Sequence, residues 1–375
     1  MRQIFSGARI FDGQSLHENA ALIVENGVIA AIEPDSQESG IQLPGGILSP
    51  AFVDLKVNGG GGIMMDGHAD AGRMAAICAS HILCGCAGIL PTLPSSNPGE
   101  MERVIRAAIS AANANVPGFL GLHLEGPFLD QRQPGLHDPK MIRKMTDADL
   151  TLLCDAATKL PALIVTLSPC AVTEDQITRL TRAGVLVALG HSDCSHSEAR
   201  AAIEAGAVCA THLFMDMATM SAREPGLAGA ALDGTIAISL IADGYHVAPA
   251  MLRLAARTRP EGLFLVTSAL GFAGTDLTEM EVYGKHARRR DGRVVLQDGT
   301  IAGTDLRLDR AIGVMVRQAE LAPERALAMA TSIPAGLIGA EDRLGYLLPG
   351  RRADMVHLDE EYILTGTWWG GMPLG

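Results

Sequence analysis

The chain has 375 residues, of which 48% are hydrophobic and only 4% aromatic, and its formal net charge is −12. That length supports a large buried core and allows more than one domain. A diffuse acidic balance argues against nucleic acid or an anionic membrane surface as the main partner, although single basic side chains can still bind a small anion. No apolar stretch approaches about 20 residues without a charge, so we expect no membrane-spanning segment.

The seven cysteines are odd in number and scattered, with no zinc-knuckle spacing. A disulfide framework is not expected in a chain of this size. The N-terminal stretch "MRQIFSGARIFDG" lacks the long apolar region of a signal peptide. We therefore expect a reduced, cytoplasmic protein.

Short alternating runs separated by turns make up both ends of the chain. Up to about Ser49, "RQIFSGARIFDG", "ENAALIVENGVIAAIEP" and "GIQLPGGILSP" predict antiparallel strands, with "ENG" as a hairpin turn. The C-terminal stretch "RLGYLLPGRRADMVHLDEEYILTGTWWGG" has the same character.

Strand and helix patterns alternate in the middle of the chain. Helical patterns such as "GRMAAICASHILC", "MERVIRAAISAANA" and "SEARAAIEAG" separate most of the strands, and the last is predicted to begin at a Ser197 cap. This alternation is typical of an α/β protein and predicts a (β/α)₈ barrel. A doubly wound open sheet is the alternative, but no G-x-G-x-x-G follows the first strand. The predicted buried strands are "AFVDLKVNG", "AGILPTLP", "GFLGLHLEG", "LIVTLSP", "GVLVALGHS", "AVCATHLF", "IAISLIADG" and "LFLVTSA".

Reactive side chains stand at the C-terminal ends of these strands, where the active sites of such barrels lie. The third strand carries His123 and Glu125, the fifth ends at His191 and the sixth at His212. One carboxylate and two imidazoles are the ligands of a catalytic zinc ion with one position left open for water. His123 shares the parity of Glu125, so it is predicted to line the barrel, either with a direct role in the site or as structural support.

The last two predicted strands also end in polar residues. The seventh ends at Asp243, with His246 just beyond it, and the eighth ends in "VTSA" at Ser268. These positions belong to the same predicted end of the barrel.

Several long motifs resemble the N-acetylglucosamine-6-phosphate deacetylases of the amidohydrolase superfamily. They are "PAFVDLKVNGGGG", "HLEGPFL", "GLHDP", "GHSDCSHSEARAAIEAG", "ATHLFMDM", "REPGLAGAALD", "IADGYHV" and "RLGYLLPGRRADMVHLD". The resemblance implies a barrel, assigned to residues 50–343, and a small β-sandwich built from residues 1–49 and 344–375. It also implies a homodimer that removes the acetyl group from an amino-sugar phosphate.

The resemblance places the family's metal ligands on Glu125, His191 and His212. Some relatives bind a second metal through two histidines of the first strand, but Lys56 and Asn58 stand in those places here. We therefore expect one divalent ion per subunit, with zinc as the first choice and iron or another divalent metal as the alternative.

The resemblance also implies roles for residues outside the metal centre. The histidine that polarises the amide falls on His137. An Arg fork suits a phosphate, and the family's phosphate and sugar contacts fall on Arg223 and His246. The other predicted substrate contacts are Leu136, Met215, Asp216 and Ala302.

Ser268 departs from the family pattern, because the family's eighth strand ends in an aspartate at this place. That aspartate takes a proton from the metal-bound water and later gives it to the leaving amine. A serine hydroxyl cannot replace a carboxylate as a base near neutral pH, and general acid–base groups are typically worth about 10²–10⁴ in rate. Impaired turnover is therefore expected.

Met215 and Asp216 are a second departure, because the family usually has Asn-Ala here. Met215 removes an amide donor, and Asp216 adds a negative charge that would repel a phosphate unless a cation intervenes. Either Asp216 faces solvent without consequence, or the pocket takes another, non-phosphorylated ligand. A third alternative makes Asp216 the substitute base.

Three functions stay open at this point. The first is a single-metal deacetylase of N-acetylglucosamine 6-phosphate. The second is a catalytically silent relative that binds the sugar phosphate. The serine in place of the family's aspartate at position 268 favours this alternative, whether Ser268 is natural or engineered. The third is an amidohydrolase with another N-acyl substrate, which Met215 and Asp216 favour.

Overall fold

The structure is a computed structural model that describes residues 1–36, 40–290 and 292–374. Strands β1 to β24 are, in chain order, Arg2–Ser6, Arg9–Phe11, Leu16–His17, Ala20–Glu25, Val28–Pro34, Ile41–Gln42, Ile47–Pro50, Phe52–Val57, Gly59–Gly60, Ile63–Met64, Cys86–Leu93, Leu122–Glu125, Leu163–Leu167, Leu186–Leu189, Cys209–Ala210, Ala237–Leu240, Leu263–Leu265, Glu279–Val282, Lys285–Arg290, Arg293–Leu296, Ile301–Thr304, Met355–Leu358, Leu364–Trp369 and Met372–Leu374.

The helices of the described residues lie mainly between these strands. Helices α1 to α10 are, in chain order, Ala71–Leu83, Pro98–Asn113, Asp147–Ala157, Glu174–Arg182, His196–Glu204, Gly226–Asp233, Pro249–Thr258, Leu308–Arg317, Pro323–Ala328 and Ser332–Leu337.

Eight parallel strands form the central sheet, in the order β8-β11-β12-β13-β14-β15-β16-β17. Each lies within one of the eight predicted runs or overlaps it, so the predicted barrel is confirmed. The strands are almost entirely buried, as parallel strands covered by helices require. All eight run in the same direction, so their carboxyl ends meet at one end of the barrel.

The sheet closes into a nearly complete barrel where its first and last strands meet. The Ser268 N–H donates to the Lys56 carbonyl, and the Asn58 N–H donates to the Ala269 carbonyl, both at 2.9 Å. Farther from this end, residues 329–330 accept backbone hydrogen bonds from β17 and β8. We call this closure the seam, and it lies beside the residues of the candidate site.

Both chain ends contribute to a separate pair of sheets, as the sequence predicted. One sheet has the order β5-β4-β1-β6, and the other has the order β24-β23-β22-β7-β2-β3. Phe5 from the first sheet and Leu48, Met355 and Trp368 from the second share one apolar core. The boundaries at residues 49/50 and 343/344 stay predictions.

A four-stranded antiparallel sheet, β18-β19-β20-β21, follows the last barrel strand and was not predicted. We call it the inserted sheet. It packs through Val282, Ala287 and Val294 against Leu270 and Phe272, which lie just past β17. This position brings its β18–β19 turn and its last strand to the carboxyl end of the barrel.

Ser195 caps helix α5, two residues before the predicted Ser197 cap, so that prediction was wrong. The Ser195 hydroxyl accepts a hydrogen bond from the Glu198 N–H, and the Glu198 carboxylate accepts one from the Ser195 N–H. This reciprocal capping box satisfies two N–H groups that Ser197 would leave open. In the described ranges, no helix is long and apolar enough to cross a membrane.

Candidate metal centre and cavity

Three predicted metal ligands come together at the carboxyl end of the barrel. Glu125 is the last residue of β12, and His191 and His212 follow β14 and β15. Glu125 Oε1 lies 3.0 Å from His212 Nε2 and 3.3 Å from His191 Nε2, and the two Nε2 atoms are 3.2 Å apart. All three residues are buried, with 3% of their surface exposed.

This spacing fits a divalent metal ion. A tetrahedral site with bonds of about 2.0–2.1 Å separates its donor atoms by about 3.3 Å. Glu125, His191 and His212 supply one oxygen and two nitrogens at nearly this separation. Three protein ligands leave one position open for water or substrate, which is typical of a catalytic site.

The hydrogen bonding of His191 supports the same conclusion. The ring atom Nδ1 lies 3.1 Å from the Gln133 carbonyl and must donate a proton to it. In the neutral ring, Nε2 then has only a lone pair to face the negatively charged Glu125 Oε1. Two acceptors at 3.3 Å require a cation between them, either a proton or a metal ion.

The pKa values of the three ligands follow from burial and from their mutual contacts. Burial raises the pKa of Glu125, but Lys56 and the neighbouring histidines outweigh it and hold that pKa well below its ordinary value. Burial lowers the pKa of His212. For His191, burial acts in the same direction, but Glu125 and Asp216 outweigh it and raise the pKa. Glu125 is therefore ionised at neutral pH.

Two of the three ligands and Ser268 have a strained backbone. His191, His212 and Ser268 have φ angles of 45°, 32° and 51°, in the left-handed region that non-glycine residues rarely adopt. Each such residue costs on the order of 1–3 kcal/mol and persists where the surrounding structure holds it. All three strained residues follow barrel strands and line the same cavity.

Lys56 joins this cluster from the seam, which the sequence did not predict. Its Nζ lies 3.0 Å from Glu125 Oε2 and donates to Ser268 Oγ at 2.8 Å. The Ser268 hydroxyl in turn donates to Asn58 Oδ1 at 3.0 Å. The Ser268 proton therefore already has an acceptor, and the hydroxyl connects Lys56 to Asn58.

His137 is held in one tautomer beside the cluster. The Ser95 N–H donates to His137 Nδ1 at 3.0 Å, so Nε2 carries the ring proton. That Nε2 lies 3.7 Å from Glu125 Oε2 on the cavity side, and burial lowers the pKa of His137. A neutral imidazole with a proton on Nε2 can donate to a carbonyl oxygen in the cavity.

A cavity of about 400 Å³ opens above these residues. Most of the predicted substrate contacts line it, but Arg223 is exposed and Ala302 is buried behind the lining, between Ile301 and Gly303. The predicted residues that do line the cavity are Leu136, His137, Met215, Asp216, His246 and Ser268.

The part of the cavity predicted to take a phosphate carries little positive charge. His246 Nδ1 lies 2.5 Å from Asp243 Oδ2. Burial raises the pKa of Asp243, but this contact outweighs it and lowers the pKa overall. Among the described residues that line the cavity there is no arginine.

Asp216 adds a negative charge at this cavity. Its Oδ2 lies 3.9 Å from His191 Nδ1, and 29% of its side chain is exposed. A Cβ at Gly135, where φ is +55°, would approach Asp216 Oδ1 to 2.8 Å. The loop before His137 therefore approaches Asp216 closely, so Asp216 faces the cavity and does not simply point into solvent.

The inserted sheet supplies lining residues that sequence reasoning missed. Tyr283 and Ile301 come from it and line the cavity. Tyr283 is 36% exposed as a residue, but burial raises the pKa of its hydroxyl, and a hydrogen bond with Asn58 opposes this effect. The turn signals "YGK" and "DGR" could have indicated the antiparallel strands of this sheet.

His123 has a structural position in the barrel interior. Its Nε2 lies 2.8 Å from Thr166 Oγ1, and its Nδ1 lies 3.2 Å from the Leu55 carbonyl. Burial lowers its pKa to about 3. Of the two alternatives for this residue, the contacts support the structural one.

The barrel, the Glu-His-His cluster and the open cavity together define a metal-dependent hydrolase site. The Amidohydrolase family matches residues 47–371, which is most of the chain. The chain therefore belongs to the amidohydrolase family.

Relatives within this family are amino-sugar phosphate deacetylases. The N-acetylgalactosamine-6-phosphate deacetylase of Shewanella sp. (strain ANA-3) is 32% identical over 98% of this chain and 95% of its own length. The N-acetylglucosamine-6-phosphate deacetylase of Haemophilus influenzae is 30% identical over 92% of each chain. The crystal structure of N-acetylglucosamine-6-phosphate deacetylase from Pasteurella multocida superposes with a TM-score of 0.92 at 29% identity and covers both chains fully.

Proposed function

We propose that this chain is a metal-dependent deacetylase that converts N-acetylglucosamine 6-phosphate to glucosamine 6-phosphate and acetate. The observation that carries the proposal is the Glu125–His191–His212 cluster at the cavity, with donor atoms 3.0–3.3 Å apart. Similarity to deacetylases over nearly the whole chain supports the reaction type.

Different residues of the chain contribute to different parts of this reaction. Glu125, His191 and His212 would hold a divalent ion, which would polarise a carbonyl as a Lewis acid and acidify a water molecule. His137, fixed with its proton on Nε2, donates a hydrogen bond to the acetyl oxygen and stabilises the charge that develops there. The walls formed by Leu136 and Met215 orient the sugar.

Ser268 limits the rate of this proposed reaction. Its hydroxyl accepts from Lys56 and donates to Asn58, so it does not take a proton from water. We expect turnover about 10²–10⁴ times slower than in a relative with a carboxylate at this place. The same observation supports a second candidate, a silent relative that binds the sugar phosphate without hydrolysing it.

Acetate release from N-acetylglucosamine 6-phosphate by the zinc-loaded protein tests the proposal. We expect release above that of the protein stripped of metal with a chelator. N-acetylgalactosamine 6-phosphate is the comparison substrate, because the relatives include a deacetylase named for each of the two sugar phosphates. Substrate binding without release in either case would support the silent relative instead.

Asp216 should weaken the binding of a phosphorylated substrate. Its carboxylate faces a cavity whose described lining has no arginine, and like charges repel. We expect Asp216→Asn to lower KM for N-acetylglucosamine 6-phosphate by about tenfold, based on charge interactions of about 1 kcal/mol or more near 4 Å, with little change in kcat.

Unphosphorylated N-acetylglucosamine is the control for Asp216→Asn, because it has no charge to be repelled. Its KM should stay the same. An equal change in KM for both sugars would show that Asp216 acts on the shape of the cavity and not on the phosphate.

The remaining expectations are part of the same proposal. Two imidazoles and one carboxylate favour zinc, with iron or another divalent metal as the alternative. The seven cysteines are free, which supports a reducing compartment such as the cytoplasm. The homodimer, the role of exposed Arg223 and the role of Ala302 rest on the family resemblance.

A further inference from the structure

Lys56 places a fixed positive charge against the carboxylate of the metal ligand Glu125. Its Nζ lies 3.0 Å from Glu125 Oε2, 2.8 Å from Ser268 Oγ and 3.4 Å from Asn58 Oδ1. An ammonium group has three N–H donors and no acceptor, so these three oxygens use all of them. The Lys56 side chain is only 5% exposed, and water hardly competes for these contacts.

The contacts divide the two oxygens of Glu125 between two partners. Oε1 faces the ring nitrogens of His191 and His212, while Oε2 faces Lys56. Lys56 thereby turns one oxygen toward the metal position and keeps the other away from it. Partners of this kind orient metal ligands and tune the affinity of the site.

We propose that Lys56 is a positioning residue that competes with the divalent ion for the charge of Glu125. Without the ion, the ammonium neutralises a carboxylate that would be costly to bury alone. With the ion bound, two positive groups share one carboxylate and repel each other. Lys56 thus stabilises the metal-free protein and weakens metal binding, and this inference rests on the metal centre of the proposed function.

The charge of Lys56 and its orienting contact predict opposite effects on metal affinity. If orientation dominates, removing Lys56 weakens binding, as the loss of an outer partner usually does. If repulsion dominates, removing Lys56 strengthens binding. Glu125 Oε1 already faces both histidines, so we expect the repulsion between the ammonium and the ion to outweigh the lost orientation, which predicts stronger binding.

Zinc binding to the full-length protein tests this proposal without any substrate. The affinity for Zn²⁺ is measured by competition with a coloured chelator for the unchanged protein, Lys56→Met and Lys56→Gln. We expect both variants to bind Zn²⁺ at least about tenfold more tightly. Lys159→Met is the matched control, because Lys159 is 47% exposed and pairs with Asp155 on the surface, and it should leave the affinity unchanged.

Thermal unfolding provides a second test, because removing Lys56 should lower the stability of the metal-free protein while it raises the affinity for Zn²⁺. Metal-free Lys56→Met should have a lower Tm than the unchanged protein, because Glu125 loses its buried partner. Saturating Zn²⁺ should raise the Tm of the variant by more than it raises that of the unchanged protein, since tighter binding stabilises more. If Lys56→Met folds poorly, Lys56→Gln keeps polar contacts in the same place.

Equal or weaker Zn²⁺ binding in both Lys56 variants would overturn the proposal while leaving the metal centre intact. A complete lack of Zn²⁺ binding in every protein would overturn both this proposal and the metal centre. Tighter Zn²⁺ binding in the Lys56 variants, without acetate release by any of the proteins, would count against the proposed deacetylation and support the role of Lys56.

Discussion

The double variant Lys56→Gln/Ser268→Asp should release acetate from N-acetylglucosamine 6-phosphate about 10²–10⁴ times faster than the unchanged protein. Aspartate at position 268 supplies the carboxylate that the family pattern has at this place. In the single variant Ser268→Asp, the new carboxylate would lie against the Lys56 ammonium, whose Nζ is 2.8 Å from the present Ser268 Oγ. That ion pair makes the carboxylate a weaker base, so we expect the single variant to gain much less.

Acetate release at saturating zinc measures this effect, because saturation removes differences in metal affinity. Lys56→Gln/Ser268→Asn is the matched control, since asparagine has the size of aspartate but no basic group. An equal gain in both double variants would show that the benefit comes from removing Lys56 and not from a new base. If neither gains, another residue limits the rate.

Glu125→Gln should remove zinc binding and reduce acetate release by roughly 10³-fold, because the lost ion is worth several kcal/mol of transition-state stabilisation. The change also leaves the buried Lys56 ammonium without its charged partner. Breaking one side of a buried ion pair costs about 3–5 kcal/mol of folding free energy. Zinc content, acetate release and the free energy of unfolding in urea together test this prediction.

The variant His212→Gln separates the loss of zinc from the loss of the buried ion pair, which Glu125→Gln combines. It removes a metal ligand but leaves the Glu125–Lys56 ion pair in place. We expect it to lose zinc and activity to a similar degree, with a smaller loss of folding free energy. A protein that keeps its zinc without Glu125 would contradict the assignment of that residue as a ligand.

The sequence predicted the barrel because its strands are short apolar runs separated by helical patterns. His191 and His212 could be predicted as neighbours because the carboxyl ends of adjacent parallel strands meet. Glu125 ends a strand that is not adjacent to theirs, and it was placed beside them because the carboxyl ends of all eight strands gather at one end of a barrel. These predictions needed only the local pattern and the direction of the strands.

Contacts across the seam were not predicted, although closure of the barrel brings the carboxyl ends of its first and last strands together. Lys56 and Ser268 are 212 positions apart, and nothing in either local sequence shows that the two side chains touch. Tyr283 reaches the cavity from an inserted sheet whose packing depends on tertiary contacts with Leu270 and Phe272. The cap of α5 was misplaced because Ser195 and Ser197 are both good caps, although the Ser195-x-x-Glu198 spacing is a capping-box signature that the sequence already carries.

The seam also bears on the order in which the protein can fold. The three metal ligands come from β12 and from the ends of β14 and β15, which lie within the first 212 residues, whereas the counter-charge of Glu125 is fixed by contacts to Ser268. Closing so long a loop is entropically costly, and such contacts form late. Lys56 and Glu125 lie on β8 and β12 and can meet earlier, but Lys56 gains its contact with Ser268 only when the last barrel strand joins the first. If Lys56 weakens metal binding as we propose, metal affinity responds to completion of the barrel.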